Sequence, residues 1–237
     1  MEMKIALLET KFKAMKILIV LAHPEPKSFN AALYQSAIKT FIENGHEVRT
    51  TDLYTMKFNP VYDRSNFKSV KNPNFLKLQV EEIYAAEMNN SYTDETRIEQ
   101  EKVEWCDLMI WQFPLWRFAP PAILKGWTDR IFTSGRFFKG GGYYENGTLK
   151  GKKALISVTT GSPEETYASD GFHGDILGIL RPINRGILEC VGFSVLEPEI
   201  NYSVAHLTED ERKSLIGRWN SRLKNIFNEP IISAGKY

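Results

Sequence analysis

MKILIVLA, residues 15–22, decides the fold. Apart from Lys16 it is unbroken apolar sequence, without the alternation of a strand that has one wet face. A central parallel strand covered on both faces accounts for it. A helix follows, capped by Ser28. Leu33, Ala37, Ile38, Phe41 and Ile42 share one of its faces, and Asn44-Gly45 ends it. Residues 47–52, EVRTTD, read as a second strand.

The alternation continues downstream. Residues 94–105 read as helix, 107–113 (DLMIWQF) as strand and 121–133 as helix opened by Pro121. Residues 153–159 (KALISVT) read as strand, 175–191 as mostly helix with Pro182 inside, 193–200 as a last strand and 209–227 as helix. Thr208 and Glu211 make a capping box for the final helix, and Leu215, Ile216, Trp219, Leu223 and Ile226 form its core stripe. Residues 54–92, with Pro60 and Pro73, read as an irregular stretch longer than compact domains normally carry. Five strands alternating with helices predict an α/β, doubly wound parallel sheet. Residues 1–14 read as an N-terminal extension and 15–237 as a single domain.

Composition narrows the function classes. With 30 Lys and Arg against 29 Asp and Glu, the chain has no global field to hold nucleic acid. No apolar run reaches the ~18 residues of a membrane span. Cys106 and Cys190 form no CxxC pair and read as reduced thiols of a cytoplasmic protein. His23, His46, His173 and His206 stand at no zinc-site spacing, so no metal is expected.

In sheets of this kind ligands bind beyond the carboxyl ends of the strands. After the first strand comes AHPEPKSFNAAL, residues 22–33, with neither GxGxxG nor a Walker lysine. It reads either as a polar loop and helix N-terminus that hold a phosphate, aided by His23, Ser28 and Asn30, or as an ordinary helix cap with a surface histidine. After the third strand, Trp116 and Phe118 flank a proline-rich loop and fit a flat ligand, a local apolar cluster or a subunit interface. After the fourth, Thr159, Thr160, Gly161 and Ser162 make a small polar loop, followed by Tyr167 and His173. That pair can stabilise or protonate developing negative charge.

Five stretches together resemble the NAD(P)H:quinone oxidoreductase family of flavodoxin-like flavoproteins. They are LIVLAHPEPKSFN, the QFPL–F–PAILKGW block, TTGS–Y–G-HGD, GIL–VGF-VLEP and the late NYS–H stretch, in order and over residues 16–227. The resemblance implies a flavodoxin-like sandwich with strand order 2-1-3-4-5. It implies bound FAD, FMN being the lesser choice, with NADH or NADPH as donor and a quinone or similar aromatic acceptor. His23, Ser28, Phe29 and Asn30 are then the phosphate and adenylate contacts. Leu115, Trp116, Arg117 and Phe118 surround the isoalloxazine. Thr159, Thr160, Gly161, Ser162 and Tyr167 follow the ring edge, and Arg212 lies near the adenine. Tyr167 and His173 match the pair that handles charge and proton. A ping-pong cycle in one pocket and a homodimer with shared sites are also implied.

Some positions depart from the vertebrate members, and the chain resembles bacterial-type members more. Trp116-Arg117 stands where those have Gln-Trp, an arginine that would favour acidic substrates or shift acceptor preference. RFFKGGG, residues 136–142, replaces acceptor-pocket tyrosines, so Phe137 and Phe138 are the expected pocket aromatics. With Trp116 and Phe118 they are also expected to face a ligand or a second subunit rather than water. Ser162 replaces a glycine. The alternatives are an FMN or FAD reductase of azo or nitro compounds, a flavin-bearing regulatory partner of an ion-efflux system, and a one-electron carrier. The near-neutral charge and the Tyr/His pair argue against the carrier.

Overall fold

The computed structural model describes residues 13–88 and 91–235; the expected extension lies outside these as far as residue 12. The sheet contains β1 (Lys16–Leu21), β2 (Glu47–Asp52), β3 (Leu108–Pro114), β4 (Lys153–Thr159), β5 (Ser194–Val195) and β6 (Glu199–Asn201). All pairings are parallel, in the order β2-β1-β3-β4-β5, with β6 also on β4. The last expected strand is therefore split in two. Pro198 stands in the gap and has no N–H to give the ladder.

Successive residues of β1 face opposite layers, as the strand period requires. Ile17, Ile19 and Leu21 pack with α1 (Phe29–Glu43) and α6 (Glu209–Asn225), whose Trp219 and Leu223 are buried. Leu18 and Val20 face the other layer. There α3 (Asp94–Trp105), α4 (Ala122–Ile131) and α5 (Ile176–Ile183) contribute Val103, Trp127 and Leu180. Burial on both faces is what the unbroken apolar run required. Ile42 is an exception to the expected face of α1: it is exposed, and Tyr34 and Thr40 are buried instead. Pro182 lies inside α5, and a π-helical turn (Asn184–Glu189) follows at once.

The stretch 54–92 is not irregular throughout, since α2 (Leu78–Glu87) lies within it. The segment is fastened by buried polar groups. Glu82 accepts from the Tyr62 hydroxyl and, at 2.6 Å, from Ser134 N–H. Asn66 Oδ1 accepts from Thr96 Oγ1 and Arg130 Nε, each at 2.8 Å. Pro60 presses so closely on α4 that a Cβ at Gly126 would sit 2.2 Å from its carbonyl oxygen.

Burial of acids in this half gives a pH signature. Burial pushes the Tyr92 phenol and the Cys106 thiol up to about 12 from 10.0 and 9.0, and raises the Tyr62 phenol, with Glu82 adding to that rise. Raised acids contribute stability that is complete below their unfolded values and is lost as pH climbs through the folded ones. The melting temperature should hold to about pH 9 and drop by on the order of 5 °C by pH 11. A flat profile to pH 11 would contradict the burial of these groups.

Candidate functional site

Strand order reverses between β1 and β3, and a cleft of about 840 Å³ opens there at the carboxyl ends of the strands. That volume is near the top of the roughly 300–1,000 Å³ range of small-molecule sites. Three loops build it, those after β1, β3 and β4, and Val204, Ala205 and Arg212 close one side.

The first loop leaves an open helix N-terminus at the cleft. Ser28 caps α1 by accepting Ala31 N–H at 3.1 Å. The N–H groups of Phe29 and Asn30 have no acceptor among the described residues, as the first turn of a helix leaves them. His23 Nδ1 stands 3.0 Å from Glu25 N–H and 3.3 Å from the Glu25 carbonyl oxygen, and burial lowers the pKa of the ring. Asn30 is committed to the scaffold. Its amide donates to Thr159 Oγ1 at 2.8 Å and accepts from Gln112 Nε2 at 2.9 Å, which ties α1 to β3 and β4.

The second loop is a tight turn held by mutual Trp116–Ala119 backbone hydrogen bonds, both 3.0 Å. Its central residues, Arg117 and Phe118, have φ of 52° and 61°. This is the type I′ geometry that glycine and asparagine normally supply. Larger side chains there cost on the order of 1–3 kcal/mol each, strain of the kind kept at binding sites. The turn sets Trp116 beside His23, ring centroids 6.3 Å apart, and Phe118 edge-on to His173 at 5.4 Å.

The third loop supplies Thr159, Thr160 and Gly161 to the cleft. Beyond it Tyr167 and His173 lie with ring centroids 5.0 Å apart. Tyr167 is buried, and its hydroxyl has no hydrogen-bond partner among the described residues. Ser162 Oγ is 3.1 Å from His173 Nε2.

Of the cofactor contacts expected from sequence, Phe118, Ser162 and Tyr167 join His173 in this adjoining cluster, and the rest line the cleft. The expected acceptor aromatics part company. Phe137 is fully buried against Phe132 and faces neither water nor the cleft. Phe138 lines a separate cavity of about 330 Å³ with Tyr62 and Phe132. The sequence reading missed Lys27, Pro114, Val204 and Ala205. Lys27 was legible as a cation one residue before a cap, while Val204 and Ala205 come close only through the turn after β6.

Lys27, Arg117 and Arg212 line the cleft, no carboxylate does, and none of the three makes an ion pair among the described residues. Arg212 stands in the first turn of α6, at the positive end of the helix, where a cation is normally disfavoured. No cluster of metal-ligand side chains occurs, and no helix is long and apolar enough to cross a membrane, among the described residues.

A family model for the flavodoxin-like fold matches residues 15–223. NAD(P)H dehydrogenase (quinone) 1 of Cavia porcellus is 41% identical over 90% of this chain and 78% of that protein. Ribosyldihydronicotinamide dehydrogenase (quinone) of Mus musculus is 42% identical over 90% of this chain and 93% of that protein. Among solved structures, a Klebsiella pneumoniae protein assigned as a quinone reductase is 35% identical, with a TM-score of 0.89 over 92% of this chain and 87% of its own. With this sheet order, this cleft and these relatives, the chain belongs to the flavodoxin-like family of NAD(P)H quinone dehydrogenases.

Proposed function

We propose that the protein is a flavin-dependent NAD(P)H:quinone oxidoreductase that passes two electrons from donor to acceptor through one cleft, by turns. The lining of that cleft carries the reading: an open helix N-terminus, three cations that make no ion pair among the described residues, and no carboxylate, with aromatic rings at the mouth. Such a lining favours an elongated anion with a flat end. Two cations, Lys27 and Arg212, added to a helix terminus fit a diphosphate better than a single phosphate, which supports FAD over FMN.

Flavin, when bound, supplies the two-electron carrier between donor and acceptor. His23, Ser28 and the Phe29 and Asn30 N–H groups hold the phosphate side. Leu115, Trp116, Arg117, Thr160 and Gly161 shape the ring side. Tyr167 offers its free hydroxyl to negative charge arriving in the cleft, and His173 holds a proton for it. The relatives' names differ in electron donor, so NADH, NADPH and ribosyldihydronicotinamide are the donors to compare. Trp116, Phe118 and Phe172 are exposed around the mouth, and cover from a second copy of the chain would explain that apolar rim. A cytoplasmic location rests on the two free thiols, Cys106 and Cys190.

The purified protein should be yellow, release FAD on denaturation, oxidise NAD(P)H with menadione present, and scatter light as a dimer of the 27.2 kDa chain. Stoichiometric FMN would remove the FAD assignment, and a monomeric mass would remove the dimer. Loaded protein that shows no acceptor-dependent turnover would remove the enzymatic reading and favour a regulatory or carrier role.

A further inference from the structure

The proposed anion seat takes up two of the cations in the cleft, Lys27 and Arg212, with the N-terminus of α1. Arg117 is left over. It lines the cleft, it is exposed, and its side chain makes no hydrogen bond, ion pair or ring contact among the described residues.

A free cation on a surface is ordinary, but two observations set this one apart. The first is its backbone. With φ of 52°, Arg117 occupies a left-handed position that glycine or asparagine takes at less cost, and no contact of its side chain offsets the strain. The second is its place. It stands between Trp116 and Phe118, which are 44% and 48% exposed. Trp116 lies beside His23 of the first loop, and Phe118 lies against His173 of the Tyr167 cluster. Arg117 is thus central to the aromatic mouth, with no carboxylate along the cleft to neutralise it. A guanidinium there offers two parallel N–H donors to a carboxylate or sulfonate.

We infer that Arg117 is a specificity-determining residue that selects acceptors carrying a carboxylate or sulfonate on the ring system to be reduced. The inference rests on the quinone reductase reading and deepens it. The donor is the other source of negative charge. In NADH that charge trails the nicotinamide by a ribose, whereas a group attached to the acceptor ring brings its charge to the turn between the two exposed aromatics.

The test uses a matched pair, a 1,4-naphthoquinone with a propionate side chain and its methyl ester. Each reoxidises holoprotein that has been titrated to full reduction with dithionite, and stopped flow gives the two second-order rate constants. The ester rate carries any change in turn geometry or flavin seating, so the acid-to-ester ratio isolates charge. Arg117→Asn removes the charge and suits the left-handed backbone; it should lower the ratio about threefold to tenfold, the worth of a partly exposed charge-assisted contact. Arg117→Lys should keep most of it. Salt raised from about 0.01 to 0.15 M shortens the Debye length from ~30 to ~8 Å, and should lower the ratio in the wild type but not in Arg117→Asn. An unchanged ratio in Arg117→Asn overturns the inference. So does a ratio that falls only for NADH against ribosyldihydronicotinamide in flavin reduction, which would assign Arg117 to the donor. Calorimetric dissociation constants of the acid and the ester repeat the comparison without turnover. If neither quinone reoxidises the flavin, the quinone reductase reading fails, while acid-selective binding that is lost in Arg117→Asn sustains the part assigned to Arg117; equal constants in wild type and Arg117→Asn overturn it.

Discussion

His173→Gln is expected to keep its flavin and to be reduced by NAD(P)H roughly tenfold or more slowly than the wild type. General acid–base groups contribute about 10²–10⁴-fold, and glutamine retains a donor while losing the proton that moves, which places the loss at or below the low end of that range. Tyr167→Phe removes a hydroxyl that has no hydrogen-bond partner among the described residues, so its effect should be similar or smaller.

A rival account makes His173 a loop-ordering side chain. The loop has other means of order. Its close approach is made at Gly171, where a Cβ would lie 2.5 Å from the Glu165 carbonyl oxygen. The His173 backbone is held by Thr166 whatever the side chain. Glutamine at this position should therefore spare flavin occupancy and melting temperature. Lowered occupancy with an unchanged single-turnover rate in the remaining loaded enzyme would favour the rival account, and an unchanged rate at full loading would exclude the catalytic role.

The parts of the fold that were readable from sequence are those where burial follows hydrophobic pattern. The run 15–22, the capping box at Thr208 and Glu211, and the strand 153–159 are each local signals with one structural meaning. Helix α2 was not readable because its pattern is inverted. Glu81 and Glu82 point inward to hydrogen-bonding partners, while Val80 and Ile83 are exposed. Periodicity seeks apolar residues inside and finds no helix there. Phe137 failed for the opposite reason: a loop aromatic next to glycines gives no local sign that Phe132 buries it. At the site, residues just after strands were legible from topology alone. The committed amide of Asn30 was not, since its partners are 82 and 129 residues away in sequence.

That commitment separates two views of Asn30. As a phosphate ligand, its replacement would weaken flavin binding and leave the apoprotein stable. As a bridge, its loss strands the Gln112 amide and the Thr159 hydroxyl in the interior. Gln112 is already short of a partner at Oε1. A buried polar group left unpaired costs about 1–3 kcal/mol, so Asn30→Ala should destabilise the apoprotein by roughly 2–4 kcal/mol. For a chain of this size that is a fall of about 5–15 °C in melting temperature. Ser28→Ala, which removes only a cap, should cost about 1 kcal/mol. The bridge also fixes the first turn of α1 against the sheet, so flavin affinity should drop with it, by about tenfold or more, because misplaced N–H donors lose an anion that well-placed ones hold. Calorimetry on flavin-free Asn30→Ala decides the matter: a melting temperature equal to wild type with weakened flavin binding makes Asn30 a ligand, and a lowered one makes it the strut on which the anion seat rests.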